Sequence, residues 1–189
     1  MNRTQARGLG WADGRAAVAI RQTGSEDLPA LGEFFAELSA HTRYLRFFGP
    51  VTPGPALLRT LSGAADNVDA LVAVRGRVIV GHAMAVDRTE PRGPRGTRVT
   101  DIGVVVGDTW QGRGVGSALM RALVTGAQAR GVTTLEMDVL GGNRQVLAMI
   151  TGHWPAARVD RNSDGFAIRV RLPQLGSKPA AITSHRAIG

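Results

Sequence analysis

Apolar residues recur along the chain with two different periods, and these periods predict strands and helices in mixed order. Period-two alternation and short apolar runs predict seven strands, at residues 16–22, 68–75, 78–87, 99–106, 133–140, 156–161 and 166–172. Apolar spacing of three to four residues predicts helices at residues 25–38, 39–48, 56–62, 114–130 and 143–151. We expect Ser25 to be the N-cap of the first helix, because the acidic residues Glu26 and Asp27 follow it.

The pattern fades at both ends of the chain. Residues 1–15 show no clear periodicity, and after Pro173 the sequence becomes polar, with glycine and proline. We therefore expect one domain at residues 16–172, between a flexible N-terminal segment, residues 1–15, and a flexible C-terminal tail, residues 173–189. A chain of 189 residues with 43% hydrophobic residues is long and apolar enough for one substantial core.

Three glycines at alternate positions follow the fourth predicted strand. Residues 111–117 read Gln-Gly-Arg-Gly-Val-Gly-Ser, and a predicted helix continues from them. Glycine lets the backbone approach a ligand closely, and the first N–H groups of a helix have no partner within the helix. These groups also lie at the positive end of the helix dipole. The loop therefore predicts an anion site, with a phosphate or a pyrophosphate as the ligand.

Two common phosphate-binding loops do not match this segment. A P-loop requires Gly-Lys-Ser or Gly-Lys-Thr, whereas here Arg113 precedes Gly114 and no lysine is near. A dinucleotide loop requires Gly-x-Gly-x-x-Gly near the start of a βαβ unit. The pattern here is Gly-x-Gly-x-Gly, and it lies past the middle of the chain. Neither nucleotide hydrolysis nor dinucleotide binding is expected.

At this loop the chain resembles the GNAT family of N-acetyltransferases. The family signature is Gln/Arg-x-x-Gly-x-Gly/Ala, which Gln111, Gly114 and Gly116 match. In the family this signature follows the fourth strand and opens a long helix, and the order of elements here agrees over residues 16–172. The resemblance implies an α/β fold. Its mixed, mostly antiparallel sheet of about seven strands would be flanked by about four helices, with strands 4 and 5 splayed apart.

The resemblance also implies that acetyl-CoA is the acyl donor and that no metal is needed. Backbone N–H groups of the loop would hold the pyrophosphate, at Gln111, Gly112, Arg113, Gly114, Val115, Gly116 and Ser117. The pantetheine arm would pair with the edge of the fourth strand, at Val104, Val105 and Val106. Asn143 resembles a family asparagine that contacts this arm, or it is only a helix N-cap. The Arg113 side chain contacts phosphate, or it is only solvated.

A second segment suggests the acceptor. Residues 43–48 read Arg-Tyr-Leu-Arg-Phe-Phe and follow Ser39 and Thr42. This is similar to the Ser-x-x-Ser-x-Tyr-Leu-Arg-Phe-Phe stretch of bacterial protein lysine acetyltransferases of the Pat type. The resemblance implies a protein lysine as the acceptor, although the aromatic residues could equally be core residues. Two alternatives stay open: a small-molecule amine acetyltransferase, and a catalytically weak acyl-CoA-binding regulatory module.

Transfer to a lysine requires a base, because an amine with a pKa of about 10.4 is almost fully protonated near neutral pH. Asp101 stands where Pat-type relatives usually carry a glutamate, and it is a carboxylate among valines. Burial there would suit it to act as a general base. Aspartate is one methylene shorter than glutamate. Asp101 would therefore act through a bridging water, or it has a structural role instead. Glu136 and Asp138 are alternative candidates for the base, but surface or structural roles are favoured for both. A structural role is also favoured for His82 and His153.

Residues 146–151 lack the tyrosine with which many relatives protonate the departing thiolate, so no general acid is assigned.

Composition limits the partners. The net charge of +8 is dispersed, and the densest basic stretch, Arg88, Arg92, Arg95 and Arg98, is expected on a Pro/Gly loop without aromatic residues for base stacking. That loop is either solvated or attracts coenzyme phosphates or an acidic protein, and nucleic acid is not expected as a partner.

The lack of cysteine excludes an acyl-cysteine mechanism. Without a long apolar run, we expect a cytoplasmic enzyme, a monomer or homodimer, with no membrane partner.

Overall fold

The structure is a computed structural model, and it describes residues 17–90 and 97–173. Its seven strands are β1 (Val18–Gln22), β2 (Val68–Arg75), β3 (Val78–Thr89), β4 (Arg98–Val106), β5 (Thr134–Leu140), β6 (Arg158–Arg161) and β7 (Gly165–Arg171). Its five α-helices are α1 (Leu28–Glu37), α2 (Ala40–Phe47), α3 (Pro55–Leu61), α4 (Val115–Ala129) and α5 (Arg144–His153). The predicted terminal segment at residues 1–15 lies outside the described residues, as do residues 174–189 of the predicted tail.

All seven strands form one mixed sheet in the order β1-β2-β3-β4-β5-β7-β6. Every neighbouring pair is antiparallel except β4 and β5, which run parallel. That parallel pairing is short: it joins Val99 to Thr134, Thr100 to Leu135 and Asp101 to Glu136, and then stops. Both strands continue beyond it, to Val106 and Leu140. The predicted mixed sheet with splayed fourth and fifth strands is confirmed.

Helices cover both faces of the sheet. On one face α1 and α3 bury Leu31, Phe35 and Leu61 against strand residues that include Val72 and Val105. On the other face α4 buries its apolar side against β2 and β3, and its C-terminal half packs with β5, β7 and α5. The described residues contain five α-helices, as the apolar spacing predicted, where the family resemblance implied about four.

The start of the first helix differs from the sequence prediction. Ser25 opens a 3-10 turn, Ser25–Asp27, and α1 begins after it at Leu28. Asp27 is the residue that organises this corner: its carboxylate accepts the Gly24 N–H at 2.9 Å and two guanidinium N–H groups of Arg21, each at 2.7 Å. These bonds hold the pKa of Asp27 below its usual value, with Arg21 as the largest cause. The prediction of Ser25 as N-cap was wrong because Gly24 caps the 3-10 turn, with its N–H bonded to the Asp27 carboxylate, and Asp27 itself stands at the N-cap of α1.

Arg130 ties the end of α4 to the sheet. Its guanidinium donates to Asp69 on β2 at 2.7 Å and to Asp87 on β3 at 2.8 Å. Asp87 is largely buried, and Thr100 on β4 also donates to it. Desolvation works against the charged carboxylate, but these donors keep the pKa of Asp87 below its ordinary value. The cluster fixes α4, and therefore the loop before it, relative to the first four strands.

Candidate active site

The splay of β4 and β5 opens a cavity of about 730 Å³ in the sheet. Its walls are β4 from Asp101 to Val106, β5 from Glu136 to Val139, the second half of α2, the first turns of α5, and the glycine loop. The backbone edges that face it stop pairing after Asp101 and Glu136. The cavity therefore lies between two strand edges that no longer pair with each other, side by side with a helix N-terminus.

The glycine loop turns sharply where the sequence predicted. Gly112 and Gly114 have φ of +69° and +80°, in the left-handed region where a Cβ is strained. Gly114 is the N-cap of α4, and no side chain of the described residues caps this helix. The first N–H groups of α4 are thus left for another acceptor. Gln111, Gly112, Gly114, Gly116 and Ser117 all line the cavity.

Two residues predicted for this loop do not line the cavity. The Arg113 guanidinium stacks on the Trp110 ring at 5.3 Å, and Arg75 packs on the same ring at 5.4 Å. The Val115 side chain is buried in the core beside Leu119. Arg113 contributes charge near the loop without reaching into the cavity, and Val115 can contribute only its backbone N–H.

An unpredicted set of hydrogen bonds holds α2 against this loop. Asp108, in the 3-10 turn after β4, accepts from the Ser39 N–H at 2.9 Å, the Ser39 hydroxyl at 2.7 Å and the Thr42 hydroxyl at 2.7 Å. Gln111 donates through Nε2 to Thr42 Oγ1 and to the Val106 carbonyl, both at 3.2 Å. Although desolvation opposes it, hydrogen bonding keeps the pKa of Asp108 below its usual value. The Ser-x-x-Thr pair thus positions the helix that forms one cavity wall.

Asp101 lies at the last paired position of β4, at the base of the splay. Its side chain is 49% exposed, and it accepts from Arg88 Nε at 3.0 Å. Arg88 also pairs with Glu136 across the strands, and Arg169 reaches Glu136 from β7 at 3.3 Å. The expected burial of Asp101 among valines was wrong, because alternation along β4 turns its side chain to the face opposite Ile102 and Val104, where it is about half exposed.

The basic stretch near Arg88 is also corrected. Arg88 belongs to β3 and Arg98 opens β4, so neither lies on a loop. Two carboxylates, those of Asp101 and Glu136, neutralise the charge of Arg88. They also raise the pKa of the Arg88 guanidinium, and Asp101 makes the largest contribution. Arg92 and Arg95 lie outside the described residues.

Two further predicted residues face the cavity. Asn143 is the N-cap of α5, where its Oδ1 accepts the Val146 N–H at 3.4 Å, and it lines the cavity as well. Asp138 lies two residues beyond Glu136 on β5, so it is on the same face, and it also lines the cavity. No ion pair within the described part of the chain engages Asp138.

His82 is not a site residue. Its ring is fully buried, packs edge-on against Phe35 at 5.5 Å, and places Nε2 2.8 Å from the Leu61 carbonyl. Burial, with a smaller contribution from the positive charge of Arg46, lowers the pKa of His82 to about 4. His153 is exposed at the end of α5, with Nδ1 2.9 Å from the Met149 carbonyl. The structural roles favoured for both histidines agree with these positions.

Arg46 was missed as a site residue by the sequence reasoning. It projects from α2 over Gly103 of β4: a Cβ built on Gly103 would lie 2.6 Å from Arg46 Nη2. Its Nε is buried and has no hydrogen-bond partner in residues 17–90 and 97–173. The one signal in the sequence was the position of Arg46 inside the Tyr-Leu-Arg-Phe-Phe stretch. That position does not indicate a contact with Gly103.

Two negative observations concern the described residues only. They place no three His, Cys, Asp or Glu side chains where these could hold a metal ion. Their helices are each too short or too polar to cross a membrane.

Comparison with known proteins bears on this geometry. Residues 38–151 match the model of the acetyltransferase (GNAT) family. The acetyltransferase Pat of Mycolicibacterium smegmatis is 34% identical over 121 residues, which make up 62% of this chain and 36% of that protein. The chain thus spans about a third of the length of this curated relative.

Solved structures show the same fold. The GNAT domain of S. lividans PAT superposes with a TM-score of 0.72 at 21% identity, covering 82% of this chain and 90% of that one. The Salmonella typhimurium protein YncA, solved with its cofactor acetyl-CoA, gives a TM-score of 0.63 at 18% identity, covering 87% and 98%.

Proposed function

The chain belongs to the GNAT family of acetyltransferases, and from this we propose that it moves an acetyl group from acetyl-CoA to an amine, with a protein lysine as the acceptor. The observation that carries the proposal is the cavity between β4 and β5, with the uncapped N-terminus of α4 at one end and carboxylates at the other. An anionic donor and a cationic acceptor would enter such a site from opposite ends.

The donor would bind along β4. Backbone N–H groups from Gln111 to Ser117 would hold the diphosphate of the coenzyme, because the helix dipole and the free N–H groups both favour an anion there. The pantetheine arm would extend from the loop along the unpaired edge at Val104, Val105 and Val106. Asn143 would contact this arm through its side-chain Nδ2, since its Oδ1 is used as the N-cap.

The acceptor amine must lose a proton before it attacks. We assign Asp101 as the base, acting through a water, because its carboxylate is open to solvent at the base of the splay. Arg88 restrains this carboxylate through the hydrogen bond from its Nε. Asp138 is the alternative, since it lines the cavity without an ion pair among the described residues.

The protein acceptor rests on two observations. Residues 39–48 are similar to the corresponding stretch of Pat-type enzymes, and the chain is 34% identical to the Pat of M. smegmatis over its matched part. In addition, Tyr44 on α2 and Phe48 at its C-cap are 49% and 45% exposed, beside the cavity residues Leu45 and Phe47. Exposed aromatic side chains at the rim suit contact with a protein surface.

The deciding experiment is transfer of labelled acetyl from acetyl-CoA to candidate proteins and, separately, to polyamines and aminoglycosides. Label on lysines of a protein supports the proposal, and label on small amines alone would favour the small-molecule alternative. Coenzyme binding without any transfer would favour the regulatory module.

Variants test the base. Asp101→Asn should lower kcat at neutral pH by about a hundredfold, which is the scale of a general base. Asp138→Asn is the comparison within the cavity, and Asp66→Asn, on an exposed loop, is the control. A larger loss with Asp138→Asn than with Asp101→Asn would move the assignment to Asp138.

A further inference from the structure

Arg46 carries a charge that the protein itself does not neutralise. None of the ion pairs among the described residues includes it, and its Nε is enclosed without a hydrogen-bond partner there. Desolvation lowers the pKa of Arg46 to about 10, so the guanidinium is still charged at neutral pH. A desolvated charge without a counter-ion is unfavourable, and an anion bound beside it would offset that cost.

The surroundings hold this guanidinium in one place. It packs on Gly103, where any side chain would collide with it, and lies 5.2 Å from the centre of the Phe47 ring. The start of α2 is fixed by the Asp108 hydrogen bonds to Ser39 and Thr42. Arg46 is therefore a preorganised cation at the cavity wall. Gly103 on β4 leaves room for its guanidinium because glycine has no side chain.

The position along β4 suggests which anion it meets, and this step rests on the proposed function. The coenzyme arm would run from the glycine loop past Val106 toward Val104. Gly103 is the next residue, and successive residues of a strand advance by about 3.3 Å. The end of the arm, with its thioester, would thus lie beside the Arg46 guanidinium, on the same side of the strand gap as Asp101.

We propose that Arg46 forms an anion subsite for the acyl unit, in which its guanidinium binds a negatively charged oxygen of the group attached to coenzyme A. Two sources share this chemistry. One is the oxyanion formed when the amine attacks the thioester carbonyl carbon. The other is the carboxylate of a dicarboxylic acyl group, such as a succinyl group.

For the oxyanion the electron balance is simple. The amine nitrogen forms a bond to the carbonyl carbon, and the π pair moves onto the oxygen, which Arg46 stabilises. The ammonium passes its first proton through water to Asp101 before the attack, and the nitrogen loses its second proton to solvent as the amide forms. The C=O bond then re-forms as the C–S bond breaks. The electron pair of the C–S bond leaves with the sulfur, so coenzyme A departs as a thiolate.

Binding of two matched thioethers tests the subsite without turnover. S-carboxymethyl-CoA carries a carboxylate where S-ethyl-CoA carries a methyl group. By calorimetry, wild-type protein should bind the carboxymethyl compound at least tenfold more tightly, and Arg46→Met should abolish this preference while leaving the affinity for S-ethyl-CoA within about threefold. Equal affinities in the wild type, or a preference that survives Arg46→Met, would overturn the proposal.

Two further variants guard against a folding artefact. Gly103→Ala keeps the arginine but displaces its guanidinium, so it should also lose the preference. Arg43→Met is the control on the same helix, because Arg43 donates to the Phe35 and Ala36 carbonyls and does not line the cavity. It should keep the preference. The melting temperature of Arg46→Met should equal or exceed that of wild type, since an unpaired charge is removed. A lower one would show a structural arginine and contradict the subsite.

Turnover separates the two sources. A loss of about a hundredfold in kcat with acetyl-CoA assigns the subsite to the oxyanion. A wild-type preference for succinyl-CoA over acetyl-CoA that disappears in Arg46→Met assigns it to an acyl carboxylate. If no coenzyme A compound binds the folded wild type, the proposed function fails and the subsite with it. If both thioethers bind equally well, only the subsite fails.

Discussion

His82 shows how one buried side chain makes stability depend on pH. Its pKa is lowered from 6.5 to about 4, mainly by burial, and Arg46 on α2 adds repulsion. Between these values the unfolded chain binds a proton that the native protein does not bind. Stability therefore decreases as the pH falls from 6.5 toward 4, and it is fully present above 6.5. The lowered carboxylate pKa values of Asp27, Asp87 and Asp108 act at more acidic pH, below the usual aspartate range.

The free energy of unfolding in urea should fall by about 2 kcal/mol between pH 7.5 and pH 5, since one pKa unit corresponds to about 1.4 kcal/mol. His82→Gln can still donate to the Leu61 carbonyl but cannot titrate, so its stability should be nearly constant over this interval. His153→Gln, at an exposed position, should behave as the wild type. A pH dependence that persists in His82→Gln would assign the effect to another group.

Gly114 is a residue whose backbone conformation matters more than its lack of a side chain. Gly114→Ala forces alanine to φ near +80° and should destabilise the protein by about 1 kcal/mol. It should also weaken acetyl-CoA binding, because the first turn of α4 would shift. Gly152→Ala is the matched control: it lies inside α5 with open space around it, and it should stabilise by about 0.5–1 kcal/mol. Both values can be measured by urea unfolding, and an unchanged Gly114→Ala would contradict the strain argument.

At the scale of elements, α2 depends on the loop after β4 for its position. Its N-cap Ser39 and the buried Thr42 both bond Asp108. Asp108→Asn replaces one acceptor oxygen by an NH₂ group, which can accept neither the Ser39 N–H that Oδ2 binds nor the two hydroxyls that Oδ1 binds. Backbone amides of α2 should then exchange with deuterium at least tenfold faster, while those of β2 and β3 stay protected. Asp66→Asn should change neither set, and unchanged exchange in α2 would show that packing alone holds the helix.

The elements were predicted well because they depend on local patterns. The strand predicted at residues 99–106 is β4, Arg98–Val106, and the helix predicted at residues 114–130 is α4, Val115–Ala129. Their turn at Gly112 and Gly114 followed from glycine spacing. The contacts that shape the site were not predicted, since Ser39 and Asp108 are 69 residues apart and Arg46 meets Gly103 only in the folded sheet. The spacing of apolar residues and the amino-acid composition carry no information on contacts between residues so far apart in the chain.

At the scale of the molecule, the sheet consists of two parts joined by a short parallel ladder. β1 to β4 form one antiparallel part, and β5, β7 and β6 form the other. Three residue pairs join β4 to β5, and α4 packs against strands of both parts. A coenzyme lying in the splay would contact both strand edges and would therefore stabilise the junction as well as the loop.

Acetyl-CoA at a hundred times its Kd should add about 2.7 kcal/mol to the free energy of unfolding, if it binds only the native state. For a domain of this size that corresponds to a rise in Tm of roughly 5–10 °C. Acetyl-pantetheine at the same concentration has the thioester arm but no diphosphate, so it should raise Tm far less. Gly114→Ala should reduce the response to acetyl-CoA but not the small response to acetyl-pantetheine. Equal shifts from the two compounds would show that the amides after Trp110 do not hold the diphosphate.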